Sequence, residues 1–297
     1  MNAIQSNMTK SYYLVSKPLQ YFNVTNIADG VAHKVCLIVD VFFKAEEFFN
    51  NIKNQHYWNR VLFFSNSYEA YQWLKNTVSD KDYLYIDSDY GLKKTIWLSR
   101  INSKNIYVYE EGTGSYRNDL IKISHTNYLL TSFLKFLGIK EHMGGGRYTK
   151  GIIIYDVEKH KKLIPEYNKI RKSFKSGFMQ HVPLIKHHFS SQMEKNREIM
   201  EGISSKNVIL YLTSWQYNAN VDTLLSQYPD YIKILKPHPH IKTKYTQTNF
   251  DYILSNDVLV EIFIINAIEV CKEILVFHEN SGAMQYIDSV NINSILL

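Results

Sequence analysis

Short apolar segments alternate with longer amphipathic stretches along most of the chain, and this alternation constrains the fold more than any other feature of the sequence. A short apolar run predicts a strand that is buried on both faces, and an amphipathic stretch between two such runs predicts a helix. Strands that are joined by helical crossovers lie parallel to one another. The pattern therefore predicts an α/β protein with mostly parallel sheets.

The alternation occurs in two series, which predicts two domains. The first series predicts strands at Tyr12–Val15, Val35–Val39, Arg60–Phe64, Tyr83–Ile86 and Asn105–Tyr109, and helices at Glu69–Thr77 and Leu92–Ser99. The second predicts strands at Asn207–Leu212, Tyr231–Lys236, Tyr252–Leu254, Glu273–Phe277 and Asn293–Leu296, and helical segments at Leu224–Gln227 and Val258–Ile268. We expect a first domain over residues 1–155 and, over residues 156–297, a basic linker followed by the second domain.

The linker runs from Glu158 to Lys206 and is rich in Lys and Arg. Such a stretch favours a solvated pair of helices that joins two domains, and an anion-binding patch at Lys161 and Lys162 is the alternative. The formal net charge of +6 is modest. Because no zinc-finger or RNP-type pattern accompanies this charge, nucleic acid is not an expected partner, whereas an anionic substrate or membrane face is compatible with it.

The two cysteines, Cys36 and Cys271, each lie within an apolar run. They are expected to be buried, reduced thiols, as is typical of the cytoplasm. The polar start of the sequence does not resemble a signal peptide, and no segment approaches the roughly 18 apolar residues of a membrane span. These features predict a cytoplasmic protein.

The first candidate site follows the strand predicted at Asn105–Tyr109, where residues 110–115 read EEGTGS. Ligands of open α/β sheets bind at the carboxyl ends of the strands, so Glu110 and Glu111 lie where a site is expected. Gly112 and Gly114 would let the backbone approach a ligand closely, and a carboxylate there can take a proton from an attacking hydroxyl. An acidic turn that caps a helix is the alternative interpretation.

The second candidate site follows the strand predicted at Tyr231–Lys236, where residues 236–240 read KPHPH. The prolines on both sides of His238, which include Pro239, fix the backbone. An imidazole held there suits a departing phosphate. A loop histidine between turn prolines is an equally good interpretation.

The third candidate site lies at residues 277–283, FHENSGA, where we expect a helix to begin near Ser281. Free amides at a helix N-terminus and a serine hydroxyl can bind a phosphate, although an ordinary N-cap is the more common role. A similar turn, with Thr213 and Ser214, follows the strand predicted at Asn207–Leu212.

Two other patterns compete with these candidates. Asp87 and Asp89 form an Asp-x-Asp pattern at a strand end, and hard oxygen ligands of this kind suit Mn²⁺ or Mg²⁺. The pattern is short and frequent by chance. Residues 144–147 read GGGR, which favours a linker turn over a loop that contacts a substrate. No P-loop, GxGxxG, HExxH or GxSxG pattern is present.

The ordered set of these segments resembles the bacterial sialyltransferases, most closely glycosyltransferase family 52. Residues 16–20, SKPLQ, are similar to the Pro-Leu-Gln start of that family, with Gln20 as its glutamine. Glu110–Gly112 is similar to the family's acidic-acidic-glycine motif, and His238-Pro239 to its His-Pro motif. Ser281 stands where the family carries a serine element, but beside Asn280 rather than in a Ser/Thr pair.

This resemblance implies a GT-B-type α/β fold, with two Rossmann-like domains facing a central cleft. The first domain would bind the acceptor and the second a CMP-sugar donor. The implied reaction is an inverting, metal-independent transfer of sialic acid from CMP-sialic acid to a sugar hydroxyl, galactose being the expected acceptor, on a lipooligosaccharide or capsule glycan. The implied location is the cytoplasm, with room for peripheral contact with the inner membrane and for a homodimer. No cofactor other than the donor substrate is implied.

The resemblance also implies a role for each candidate residue. The base is Glu110 or Glu111, with Glu111 favoured, and His238 assists the departing phosphate. The donor phosphate side comprises Ser281, Asn280, Gly282, Thr213, Ser214, Lys236 and Pro239. The acceptor side comprises Gly112, Gly114 and Gln20.

Three alternatives remain at this point. The first is a metal-dependent GT-A transferase that uses Asp87 and Asp89 with a UDP-sugar. The second keeps the fold and changes the donor to CMP-Kdo, or makes repeated transfers as a polysialyltransferase does. The third is a non-catalytic protein that binds glycans or assists their assembly.

Overall fold

A computed structural model of the chain describes residues 8–54, 56–124, 128–174, 194–214, 216–238, 249–256, 258–279, 281–287 and 292–297. The chain divides into two compact units between Ser176 and Gly177. Each unit is built on its own parallel sheet.

The first unit contains a seven-stranded sheet. Its strands are β1 (Ser11–Val15), β2 (Lys34–Val39), β3 (Arg60–Phe64), β4 (Tyr83–Ile86), β5 (Asn105–Tyr109), β6 (Gly151–Ile154) and β7 (Ile170–Ser173). They lie in the order β3-β2-β1-β4-β5-β6-β7, and every neighbouring pair is parallel. The helices are α1 (Pro18–Ile27), α2 (Ala45–Ile52), α3 (Ser67–Thr77), α4 (Leu92–Leu98), α5 (Leu120–Ser124), α6 (Tyr128–Phe136) and α7 (Val157–Leu163).

Both faces of this sheet are covered, which explains why all five side chains of β1 are buried. Tyr12 and Leu14 pack on one face with residues of α3, including Leu74. On the other face the ring of Tyr13 contacts Trp58, with 5.4 Å between ring centroids. The helices start where the sequence provides caps; the Asn66 side chain, for example, accepts the backbone N–H of Glu69 at the start of α3.

The second unit contains a five-stranded sheet. Its strands are β8 (Asn207–Leu212), β9 (Ile232–Lys236), β10 (Tyr252–Ile253), β11 (Glu273–His278) and β12 (Ile292–Leu296), in the order β10-β9-β8-β11-β12. All neighbouring pairs are parallel. The helices are α8 (Arg197–Ile203), α9 (Asn220–Leu225) and α10 (Val260–Val270). Residues of α10 cover one face of the sheet and residues of α9 the other.

The α/β class and the parallel sheets are as predicted, and each strand that the sequence predicted is present within a residue or two of its expected ends. The division between the units lies later than the boundary expected at residue 155. The reason is that α7 and β7, which were expected within the linker, add to the first unit, and β7 pairs with β6. The linker therefore does not form the predicted pair of helices joining two domains over residues 158–174.

Two smaller expectations also need comment. Cys36 is buried, as predicted, but Cys271 is only partly buried because it directly follows the last residue of α10. No helix in the described part of the chain is long and apolar enough to cross a membrane.

Candidate functional site

The carboxyl ends of β1, β4 and β5 are neighbours in the first sheet and carry a dense group of polar side chains. Ser16 follows β1, Asp87 follows β4, and Glu110 follows β5. Substrates of parallel α/β sheets bind at this edge because the loops diverge there and leave room. The sequence-predicted residues of the first unit are thus brought to one edge of one sheet.

Glu110 is fully buried and is bound by the protein itself. Its Oε2 accepts the Tyr116 hydroxyl at 2.8 Å and the backbone N–H of Tyr155 at 2.6 Å. The backbone carbonyl of Glu110 accepts the Asn23 side-chain amide at 2.7 Å. The Tyr116 hydroxyl in turn accepts the backbone N–H of Asp156 at 3.0 Å. The Glu110 carboxylate therefore fastens the turn after β5 to the start of α7.

Glu111, by contrast, is partly open to solvent, with 19% of its side chain exposed. Its Oε2 lies 3.3 Å from the Lys17 ammonium, and its backbone N–H donates to the Ser115 hydroxyl at 2.9 Å. A Cβ at residue 114 would lie 2.8 Å from Glu111 Oε1, so the carboxylate occupies space that only Gly114 leaves empty. Gly112 has φ of 127°, a conformation that side-chain-bearing residues rarely adopt. Gly114 is thus explained by the position of the Glu111 carboxylate, and Gly112 by the backbone conformation of the turn.

Asp87 forms a largely buried ion pair with Lys94, at 2.6 Å, and accepts the Ser16 hydroxyl at 2.7 Å. Burial alone would raise the pKa of the Asp87 carboxyl, but Lys94, Ser16 and Lys17 together hold that pKa below its usual range. Burial likewise opposes the charge on Lys94, and the attraction of Asp87 outweighs it and raises the pKa of Lys94. Both groups are therefore charged at neutral pH.

Asp89 faces a different part of the structure. Its carboxylate accepts the backbone N–H groups of Gly144 and Gly146 and the Thr149 hydroxyl, each at 2.8 Å. The GGGR segment is thus neither a simple linker turn nor a free loop, because Asp89 anchors it. Since Asp87 is paired with Lys94, the two aspartates do not converge on one point, and the described residues contain no cluster of three or more His, Cys, Asp or Glu that could hold a metal ion.

Gln20 is buried on α1 near the same strand ends. Its Oε1 accepts the backbone N–H of Ser16 at 2.7 Å and lies 2.9 Å from the Ser16 hydroxyl oxygen, whose one hydrogen goes to Asp87. The Tyr109 hydroxyl lies 3.4 Å from the same oxygen. The contacts of Gln20 therefore fix the turn between β1 and α1, the turn that also carries Lys17.

In the second unit, the turn after β8 meets the turn after β9. The Thr213 hydroxyl accepts the backbone N–H of His238 at 2.9 Å, and the Thr213 N–H donates to the Lys236 carbonyl at 3.1 Å. Ser214 is next to this pair, and its hydroxyl lies 3.2 Å from the Gln216 carbonyl. Thr213 and His238 are thus adjacent, as the strand-end argument predicts, while Pro239 lies outside the described residues.

Ser281 follows β11, the other neighbour of β8. Its hydroxyl accepts the backbone N–H of Ala283 at 3.3 Å, and its own N–H donates to Nδ1 of His278 at 3.2 Å. Burial lowers the pKa of His278, in keeping with a neutral ring whose Nδ1 is an acceptor. The helix expected to begin near Ser281 is only a 3-10 turn, Gly282–Gln285, so the array of free amides of a longer helix does not form there. Asn280 lies outside the described residues.

Lys236 is buried, and its ammonium donates to the carbonyls of Pro237 (2.7 Å) and Asn256 (3.2 Å). Near it, in the first turn of α10, Glu261 is also buried. Burial raises the pKa of Glu261 to about 7, although its own backbone N–H and Lys236 act in the opposite direction. Lys236 therefore braces the turn after β9 from inside the unit.

Several residues of both edges were not predicted, namely Lys17 as a partner of Glu111, and Lys94, Tyr116, His278 and Glu261. Their partners are set by the order of strands in the sheet, which sequence periodicity does not provide. The one available signal was the position of Lys17 beside Pro18, at the start of the first helix after β1.

Solved structures of other proteins share this architecture. No protein-family profile matches the chain, and no curated protein matches it in sequence. Among solved structures it is similar to UDP-N-acetylglucosamine 2-epimerase from Rickettsia bellii, with a TM-score of 0.55, 14% identity, and coverage of 97% of this chain and 78% of that chain. It is also similar to Anabaena Alr3699/HepE in complex with UDP and glucose, with a TM-score of 0.52, 12% identity, and coverage of 97% and 86%.

The chain has a GT-B-type fold of two Rossmann-like domains. The resemblance to family 52 sialyltransferases is wrong, because no family profile supports it and the similar structures are those of UDP-sugar proteins. Its motifs are each only a few residues long and follow strand ends, so none of them identifies a family by itself. The metal-dependent alternative assumed a GT-A fold, whereas the chain has a GT-B-type fold, and Asp87 and Asp89 have separate partners.

Proposed function

We propose that the protein is a glycosyltransferase that takes a sugar from a nucleotide-sugar donor and passes it to a hydroxyl of a glycan acceptor. The proposal rests on the difference in burial and hydrogen bonding between Glu110 and Glu111. Glu110 is buried and bound by Tyr116 and Tyr155, whereas Glu111 is partly exposed at the same strand end. A carboxylate that the fold does not need, held at the edge where ligands bind, suits a general base.

In the proposed reaction, Glu111 accepts the proton of the acceptor hydroxyl as the hydroxyl oxygen bonds to the anomeric carbon of the donor. The bond between that carbon and the donor phosphate breaks, and its electron pair leaves with the nucleotide. A single displacement of this kind inverts the anomeric configuration. Lys17, at 3.3 Å from the carboxylate, orients Glu111 toward the acceptor.

The donor phosphate is assigned to the second unit, at the ends of β8, β9 and β11. Thr213, His238 and Ser281 lie there. The hydroxyl oxygens of Thr213 and Ser281 each accept a backbone N–H, which leaves their own hydrogens as donors that suit an anion. A UDP-hexose is the first donor to test, because one structural neighbour is a UDP-N-acetylglucosamine 2-epimerase and the other was solved with UDP and glucose. Transfer of sialic acid is not supported.

The test is nucleotide release by the full chain from UDP-glucose, UDP-N-acetylglucosamine and CMP-sialic acid, with and without mixed oligosaccharide acceptors, in buffer and in EDTA. We expect release from a UDP-sugar that an acceptor accelerates, that EDTA leaves unchanged, and that His238→Ala reduces. If a 2-epimer formed without an acceptor, the protein would be an epimerase rather than a transferase. If free sugar formed without an acceptor, it would be a hydrolase. The absence of both turnover and donor binding would overturn the proposal.

A further inference from the structure

The helix α6 exposes a large amount of apolar side chain. Leu129 is 77% exposed, Phe133 53% and Phe136 85%, and Leu130 and Leu137 are also exposed. We name these five residues the α6 stripe. Single exposed apolar residues are ordinary on protein surfaces, but four on one short helix, followed directly by a fifth, form a contiguous patch that marks an interaction surface.

The α6 stripe is not the side of the helix that packs on the protein. At 100° per residue, its five positions fall within an arc of about 120°. Leu134 lies outside this arc, is buried, and packs with Ile121 of α5 and with Ile139 against Tyr90. The helix is therefore already anchored by a separate contact, and the stripe is additional.

Basic residues outnumber acidic ones around the stripe. No acidic residue lies in α6, whose charged residue is Lys135. Lys122 of α5 and Lys140, just after α6, are exposed. Lys135 is 3.1 Å from Glu141. A surface that pairs Phe and Leu side chains with flanking lysines is complementary to a layer that is apolar below and anionic above.

The end of α7 adds to this basic region. The Asn118 side-chain amide donates to the Leu163 carbonyl at 3.2 Å, which links the segment leading into α5 to the end of α7. Lys161 and Lys162 are exposed there, Lys161 being paired with Glu158 at 2.7 Å. The basic residues of α7 and the apolar stripe thus belong to connected parts of the first unit.

We propose that the α6 stripe docks the protein on the surface of an anionic lipid bilayer. The Phe and Leu side chains would enter the boundary between headgroups and acyl chains, and the lysines would meet lipid phosphates. A helix of nine residues is too short to span the bilayer, which takes about 20 residues, and so would lie in its plane. A second copy of the chain is a poorer occupant, because two such surfaces would bring lysines against lysines.

Vesicle flotation with the full chain tests the proposal independently of any transfer activity. We expect binding to vesicles of equal phosphatidylglycerol and phosphatidylcholine, and weaker binding to phosphatidylcholine alone. The double variant Phe133→Ser/Phe136→Ser should lower the partition coefficient about tenfold or more, since it removes two exposed rings that would be buried in lipid. The matched control, Met8→Ser/Leu296→Ser, changes residues that are 59% and 67% exposed elsewhere and should bind like the original chain.

A charge variant separates the two parts of the surface. Lys122→Glu/Lys140→Glu should reduce binding to the anionic vesicles and leave the weak binding to neutral vesicles unchanged. Thermal unfolding of every variant should match that of the original chain, because none of these side chains is buried. Absence of binding to anionic vesicles, or full binding by the double Phe variant, would overturn the proposal. A dimer that the double Phe variant abolishes would overturn it too and assign the stripe to self-association.

Discussion

The carboxyl edges of the two sheets carry different chemistry although their backbones follow the same plan. In each unit, the first strand of the chain lies between the second and the fourth, and the order of five parallel strands is the same. It is β3-β2-β1-β4-β5 in the first unit and β10-β9-β8-β11-β12 in the second. The first edge is built from charged pairs, Asp87–Lys94 and Lys17–Glu111. The second is built from hydroxyls and backbone amides, as in the contact between Thr213 and His238.

This difference separates what the fold requires from what a reaction would require. Three carboxylates at the first edge are held by partners within the protein, namely those of Asp87, Asp89 and Glu110. The fourth, Glu111, is partly exposed and occupies space that Gly114 leaves empty because it has no side chain. At the second edge, the Thr213 and Ser281 hydroxyls are neutral groups that could meet an anion, while the Lys236 ammonium is bound by two backbone carbonyls. Under the proposed function, one shared scaffold serves proton transfer at one edge and anion binding at the other, because the residues after each strand differ.

The largest effect on the comparison between the two edges is expected for Glu111→Gln. The amide keeps the size of the side chain but cannot accept a proton, so we expect the rate of acceptor-stimulated nucleotide release to fall by roughly 10²-fold to 10⁴-fold. Donor binding, measured by calorimetry, should be unchanged, because the donor is assigned to the second unit. A variant that keeps more than about a tenth of the rate would remove Glu111 as the base.

The adjacent Glu110→Gln should act on stability instead. The glutamine amide oxygen can still accept the Tyr116 hydroxyl and the Tyr155 N–H, but it carries no charge, and hydrogen bonds to charged groups are worth about 1.5–3 kcal/mol against about 0.5–1.5 kcal/mol for neutral ones. We expect the free energy of unfolding to fall by about 2–3 kcal/mol, as measured by urea denaturation.

Tyr116→Phe gives the matched comparison for Glu110. It removes one of the two hydrogen bonds and leaves the Asp156 N–H without this acceptor, so the double variant should be less destabilised than the sum of the two single variants. If Glu110→Gln instead kept its stability and lost activity, the roles of the two glutamates would be reversed.

Sequence periodicity was sufficient for much of the fold. Strands such as β5 and β8 are continuous apolar runs bounded by polar residues, and they begin and end where predicted. The helix α1 was missed because its buried face carries Gln20, Asn23 and Asn26, polar residues that hide its periodicity. β7, which reads IRKS, was missed because it is an edge strand of mostly polar residues.

The candidate site was predictable only in part. The position of Glu111 followed from the rule that ligands bind at strand ends, which needs the strand alone. The different fates of Glu110 and Glu111 did not, because Tyr116, Tyr155 and Lys17 reach them through the tertiary fold. For the same reason the Asp87–Asp89 pattern suggested a metal site, whereas its two carboxylates have separate partners.

A further prediction concerns Glu261, which lies near the second edge. Burial raises the pKa of its carboxyl to about 7. A folded-state pKa above the unfolded value of 4.5 means that the buried carboxyl costs stability as pH rises from about 4.5 to about 7, and that this cost is constant above. Glu261→Gln should therefore be more stable than the original chain at pH 8, by about 2 kcal/mol, and should differ little from it at pH 4.5.

Thermal unfolding at pH 4.5, 6 and 8 measures this effect. Glu269→Gln, on the exposed side of the same helix, is the matched control for replacing a glutamate of α10 by glutamine. A stability gain that is equal at all three pH values would show that Glu261 is not a buried titrating group.

The smallest expected effect separates the two glycines of the first edge. In Gly114→Ala, the new Cβ would lie 2.8 Å from Glu111 Oε1, the far end of a flexible side chain that can move aside. The rate should therefore fall about tenfold, through displacement of the base, while the free energy of unfolding changes by less than about 0.5 kcal/mol. Gly112→Ala should do the reverse, because φ of 127° strains any L-residue and costs about 1–3 kcal/mol of stability. If both variants lost only stability, the recess at Gly114 would serve the turn rather than the position of the Glu111 carboxylate.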